Sequence, residues 1–145
     1  MSSSDAPPPE QMAVVLTENS ADKLLPFATL VSGAVALGFR VDVLASYWGL
    51  VAFRKTATAS PPSVSPGHGE DGARLEAALK APRAPSWKSI LEMAKSIGEL
   101  HIYACSQSME ILGLSKDELD PLVEGVTGVA TFIDRTRSAS VSYFI

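Results

Sequence analysis

Short, almost unbroken apolar runs recur along this chain with amphipathic stretches between them, and that alternation constrains the fold more than any single residue does. Met12-Ala13-Val14-Val15-Leu16 is such a run, short enough for a strand covered on both faces, and it stops at Thr17-Glu18-Asn19-Ser20. Asn19 or Ser20 can cap the next element. Leu24, Ala28, Val31 and Val35 then recur at helical spacing, Gly38 is placed to end the helix, and Val41-Asp42-Val43-Leu44-Ala45 reads as a second strand. This β-α-β opening predicts a mostly parallel sheet joined by right-handed crossovers.

The pattern resumes after an interruption. Ser46 to Lys55 is aromatic and then basic, and Thr56 to Pro85 is rich in Pro and Gly, which reads as a mobile insertion holding a short helix over Ala73 to Ala81. Ser86 caps a helix whose face is Trp87, Ile90, Leu91, Ala94 and Ile97, closed by Gly98. A strand from Leu100 to Cys105 comes next. Ser115-Lys116-Asp117-Glu118 is a capping box that predicts another helix, Leu122 to Val126 a short strand, Val129, Phe132 and Ile133 a last helix, and Val141 to Ile145 a terminal strand.

The expected architecture is a three-layer α/β/α domain over residues 12–145, with a mostly parallel sheet of four to five strands and the mobile insertion at about residues 56–85. Residues 1–11, rich in Ser and Pro, bury too little apolar surface to order and are expected as a disordered tail. In the common strand order the second strand lies outside the first and the third on its other side. That order makes the first strand and the Leu100–Cys105 strand neighbours at a switch point, with ligands taken at their carboxyl ends.

Charge and composition narrow the partners. The net charge is −4, with acidic and basic residues interleaved and no basic cluster of the kind that neutralises phosphates, so nucleic acid is not expected. The longest apolar stretch, Leu24 to Phe39, contains Pro26, Thr29 and Ser32 and falls short of the roughly 20 residues that span a bilayer, so no membrane span is expected. A single cysteine forms no internal disulfide, and the cytoplasm is the default compartment.

Cys105, that single cysteine, stands where Leu100-His101-Ile102-Tyr103-Ala104 gives way to Ser106-Gln107-Ser108-Met109-Glu110, a strand delivering one thiol to the start of a helix. Backbone N–H groups and the helix dipole favour an anion there. Ser106 and Ser108 can add hydrogen bonds to a thiolate or persulfide, although both also serve as ordinary capping residues and a free cysteine is often just a small buried apolar side chain. Tyr47 and Trp48, after the second strand, are candidates to line the thiol pocket; Arg54 and Lys55 can draw in an anion or sit solvated at a helix end.

Spacing sets several chemistries aside. Ser108 stands where a dithiol motif needs its second cysteine, Ile111 where a phosphatase loop needs arginine, and no Pro with Thr or Ser precedes the thiol as in a peroxidatic site. No glycine-rich phosphate loop follows the first strand, so no nucleotide cofactor is expected. Neither is a metal, because His68 lies in the insertion and His101 in a strand, where it is read as structural.

Tyr103 to Leu114 and Glu124 to Phe132, together with Tyr47-Trp48-Gly49-Leu50 and Arg54-Lys55, resemble the motifs of DsrE-type proteins, small sulfurtransferase-like proteins of the DsrE/DsrF/TusD group, in the branch often labelled peroxiredoxin-like. The resemblance covers nearly the whole chain outside the tail and the insertion. It implies a persulfide carrier in which Cys105 accepts sulfane sulfur from a rhodanese-like or TusA-like protein, or from a low-molecular-weight sulfane sulfur compound, and passes it to a partner thiol. It also implies a homo-oligomer, with the trimer among the forms such proteins take. Two other roles fit one cysteine: a thiol peroxidase resolved by an external thiol, and a noncatalytic subunit of a sulfur-trafficking complex.

Overall fold

The computed structural model describes residues 7–145. In chain order the elements are β1 (Gln11–Leu16), α1 (Ala21–Ala36), β2 (Arg40–Ala45), α2 (Trp48–Val51), α3 (Lys55–Thr58), α4 (Gly69–Leu79), α5 (Trp87–Ile97), β3 (Leu100–Cys105), α6 (Ser106–Leu112), β4 (Val123–Thr127), α7 (Val129–Thr136) and β5 (Val141–Phe144). All pairings are parallel, in the order β4-β3-β2-β1-β5. The α/β class and the parallel sheet therefore agree with the alternation in the sequence.

The strand order differs from the expected one. β3 lies between β2 and β4, so the Cys105 strand does not touch β1. The connection from β2 continues in the direction set by the step from β1 to β2, and right-handed crossovers then stack α1, α5 and α6 on one face. Only the return from β4 to β5 reverses direction, and it carries α7 to the other face. The alternation of strands and helices is the same for both orders, which is why it does not choose between them.

The two faces are unequal as a result. Met12, Val14 and Leu16 of β1, Val41 and Val43 of β2 and Leu100 and Ile102 of β3 point to the first face and pack on Phe27, Val31, Leu91 and Trp87. Ala13, Leu44 and Cys105 point to the second, where Phe132 of α7 covers them. Among the described residues no helix is long and apolar enough to cross a membrane.

Local departures have local reasons. Gln11, expected in the tail, already pairs with Arg40 in β1 and its Nε2 donates to Asp42 at 2.9 Å; residues 1–6 lie outside the described residues. The Ser115 capping box opens only a 3-10 turn, Lys116–Glu118, since Leu119 is already bridged to Arg54. The insertion helix starts earlier than its apolar residues suggest, at Gly69, and buries none of them. The insertion is joined to the head of α1: the Ala21 N–H donates to the Ser63 carbonyl at 2.8 Å, and Ser65 gives its N–H and hydroxyl to the Asp22 carboxylate at 2.8 and 2.6 Å.

Two consequences can be measured. A Cβ at Gly49 would lie 2.1 Å from the Leu16 carbonyl oxygen, so Gly49→Ala forces α2 off the end of β1 and lowers the stability by about 3 kcal/mol, read from the denaturant midpoint. The Ser65 hydroxyl and N–H hold the Asp22 carboxyl down to about 2. A carboxylate depressed in the folded state stabilises above its unfolded value and loses that contribution as pH falls through the folded one. Ser65→Ala is therefore expected to cost about 1 kcal/mol at neutral pH, a difference that shrinks between about pH 4 and pH 2.

Candidate functional site

Cys105 ends β3 and is at the same time the N-cap of α6, with an extended backbone at φ −68° and ψ 122°. Alternation along β3 settles the direction of its side chain. Leu100, Ile102 and Ala104 go to the first face, so Cys105 goes to the second. From the N-cap position the sulfur faces the free N–H groups of the next turn, those of Gln107 and Ser108.

Burial pushes the Cys105 thiol up, yet the Ser108 N–H, the Ser108 hydroxyl, the Ser46 hydroxyl and the Gln107 N–H together outweigh it, and the thiol titrates below its ordinary value. No capping hydrogen bond is closed on the sulfur in its resting geometry. The preference is for the anion, because a thiolate accepts strongly where a thiol does not.

Ser108 is fully buried, and its Oγ accepts the Tyr47 N–H at 3.0 Å. The hydroxyl proton is thereby left for the sulfur. Tyr47 makes that bond from φ 49° and ψ −117°, a strained conformation for a residue with a side chain, with a cost on the order of 1–3 kcal/mol. The strain follows from its neighbours. The Ser46 N–H is fixed on the Leu16 carbonyl at 2.9 Å and Gly49 lies against the same carbonyl, so the chain turns sharply between them.

A cavity of about 690 Å³ opens in front of the sulfur. Ala13, Val15 and Leu44 form its sheet side, Val129, Phe132 and Ile133 its α7 side, and Tyr143 and Phe144 of β5 a third wall, with Tyr47, Ser46 and Gln107 close to the thiol.

The expected site residues are placed unequally. Cys105, Ser108 and Tyr47 come together. Trp48 does not line the cavity and is 56% exposed, because the reversal at Tyr47 turns the next side chain outward. Ser106 is exposed, and its hydroxyl lies beside Gly128 rather than on the sulfur; the anion-stabilising role expected of it falls to the Gln107 N–H and to Ser46. Sequence reasoning misses Ser46, since its register depends on β2 lying next to β3. Of the Thr17–Ser20 turn, only Thr17 reaches the cavity. His101 bonds Glu124 at 3.0 Å, two pleats back from Cys105, and Arg54 and Lys55 do not line the cavity either. Among the described residues no three His, Cys, Asp or Glu side chains gather closely enough to hold a metal ion.

Removing the hydroxyls separates their contributions. Ser108→Ala is expected to raise the midpoint of the Cys105 alkylation rate against pH, and to raise it more than Ser46→Ala does, whereas Ser106→Ala leaves it in place.

No functionally curated protein matches the chain by sequence. Among solved structures it is similar to MTH1491 from Methanobacterium thermoautotrophicum, described as a protein of unknown function. The superposition has a TM-score of 0.57 at 15% identity and covers 92% of this chain and 96% of that one, a likeness of fold. By sequence, residues 67–144, more than half of the chain and the part that includes Cys105 and α6, match the DsrE/DsrF/DrsH-like family. The chain belongs to the DsrE/DsrF/DrsH-like family.

Proposed function

We propose that this protein is a persulfide-carrying sulfurtransferase, with Cys105 as nucleophile and carrier in a cytoplasmic sulfur relay. The observation that carries the reading is the sulfur itself: buried, held below its ordinary pKa by the Ser108, Ser46 and Gln107 groups, and turned toward a cavity. Family membership supports the same chemistry.

The steps balance without a cofactor. The Cys105 thiolate attacks the outer sulfur of a donor R–S–SH; the donor's S–S bond breaks, its electron pair leaves on R–S⁻, and Cys105–S–SH remains. An acceptor thiolate then attacks that outer sulfur and Cys105 departs as thiolate, the form the cradle favours. With one cysteine in the chain, no internal thiol attacks the persulfide and expels sulfide, so the sulfur waits for an external acceptor. Rhodanese-like and TusA-like proteins are fitting donors or acceptors, and a homo-oligomer is the expected assembly.

Intact-mass analysis tests this directly. Incubation with a sulfane sulfur donor is expected to add one sulfur atom that a reductant removes, and Cys105→Ser to abolish the addition. A protein that gains only oxygen, and only with peroxide, is a one-cysteine peroxidase. A Cys105→Ala variant that still supports transfer between donor and acceptor proteins makes the chain a noncatalytic subunit.

A further inference from the structure

Cys105 is 2% exposed, so a molecule that exchanges sulfur with it approaches through the cavity. At about 690 Å³ that cavity has the size of a small-molecule site. Ala13, Val15 and Leu44 line its sheet side, Phe132 and Ile133 its α7 side and Phe144 its β5 wall; Thr17, Thr136 and Ser142 add neutral polar groups, and Arg137 is the single charged residue of the lining among the described residues. Ile133 and Phe144 are 60% and 76% exposed, which leaves apolar surface open to an apolar guest. Arg137 bonds Asp134 at 2.7 Å, but both side chains are largely exposed and such a pair yields readily to a competing anion.

We infer that the sulfur donor is a low-molecular-weight organic persulfide with an alkyl body and an anionic far end. The sulfane sulfur meets Cys105, the chain lies along the apolar lining, and the anion reaches Arg137. This rests on the persulfide-carrier reading and narrows its donor. The transfer is R–S–SH plus the Cys105 thiolate giving Cys105–S–SH plus R–S⁻, with the terminal proton staying on the transferred sulfur. An inorganic polysulfide leaves the apolar lining unused. A peptide persulfide brings several charges, for which Arg137 is the single charged partner in the lining among the described residues.

The test offers the full-length protein a series of ω-carboxyalkyl persulfides of increasing chain length, a neutral alkyl persulfide, glutathione persulfide, inorganic polysulfide and a persulfidated protein donor, with loading of Cys105 read by intact mass. The concentration for half-loading is expected to fall about tenfold for each two methylenes added until the cavity is filled. Arg137→Gln is expected to weaken the carboxylate series about threefold and to leave the neutral alkyl persulfide unchanged. Ile133→Ser, at an exposed position that does not threaten the fold, is expected to flatten the dependence on chain length. Equal loading at every chain length, or polysulfide as effective as the longest chain, overturns the alkyl donor and leaves the carrier intact. Loading from the protein donor alone does the same. Loading by none of them overturns both.

Discussion

The carbonyl oxygen of Leu16, at the carboxyl end of β1, is the fixed point on which the site is built, because two constraints from one turn converge on it. It accepts the Ser46 N–H at 2.9 Å, and it lies so close to Gly49 that no side chain fits between. With one residue bonded and the other in contact, Tyr47 is left to reverse the chain from a positive φ. Its N–H then points to Ser108 Oγ across the β2–β3 boundary. The polar path thus runs from β1 through the turn to α6, and the Cys105 sulfur lies beside two of its members, Ser46 and Ser108. The strain at Tyr47 is offset by what the turn fixes, including the burial of Leu50 and Phe53 directly after it.

The second face of the sheet is divided along the strands. Toward their amino ends it is polar: Asp42 is fully buried but bonded by Arg40 Nε and Gln11 Nε2, both at 2.9 Å, His101 is held by Glu124, and Arg135 lies 4.7 Å above the Tyr103 ring. A buried carboxylate is tolerable only with such partners, and removing one leaves an uncompensated charge. Toward the carboxyl ends the same face is more apolar, with Thr17, Ser142 and Arg137 also bordering the cavity. One helix, α7, covers what three helices cover on the opposite side, and the shortfall is the cavity. Strand order therefore matters to chemistry: the single reversal between β4 and β5 gives Cys105 a space in front of it.

Periodicity makes the sheet, the helices α1, α5 and α7 and the placement of Cys105 at a strand–helix junction legible in the sequence, because each of these depends on residues near one another in the chain. Strand order is not legible, since it is decided by which edge each crossover takes and leaves no mark on hydrophobic spacing. Most differences at the site descend from that one. Placing the Cys105 strand beside β1 brings in Thr17 to Ser20 and passes over Ser46, whose only sequence signal is that it follows the last residue of β2. Adjacency favours Ser106, yet in the first turn of a helix it is the backbone N–H groups of the second and third residues that face the N-cap side chain. Trp48 pairs with Tyr47 by kind, and a positive φ sends the two rings in different directions.

Burial and a lowered thiol pKa are opposing tendencies, and their coexistence at Cys105 explains the form of the site. A thiolate removed from water loses solvation that an exposed one keeps, so the anion persists only where fixed dipoles replace the lost solvent. Two backbone N–H groups and two serine hydroxyls do so here, and none carries a charge. A nearby Lys or Arg would lower the pKa further, but it would also hold an anion in place and make the thiolate a poorer nucleophile. Neutral donors lower the thiol's pKa without placing a fixed charge beside the sulfur. Under the proposed relay the same cradle would face the thiolate both when it attacks and when it departs.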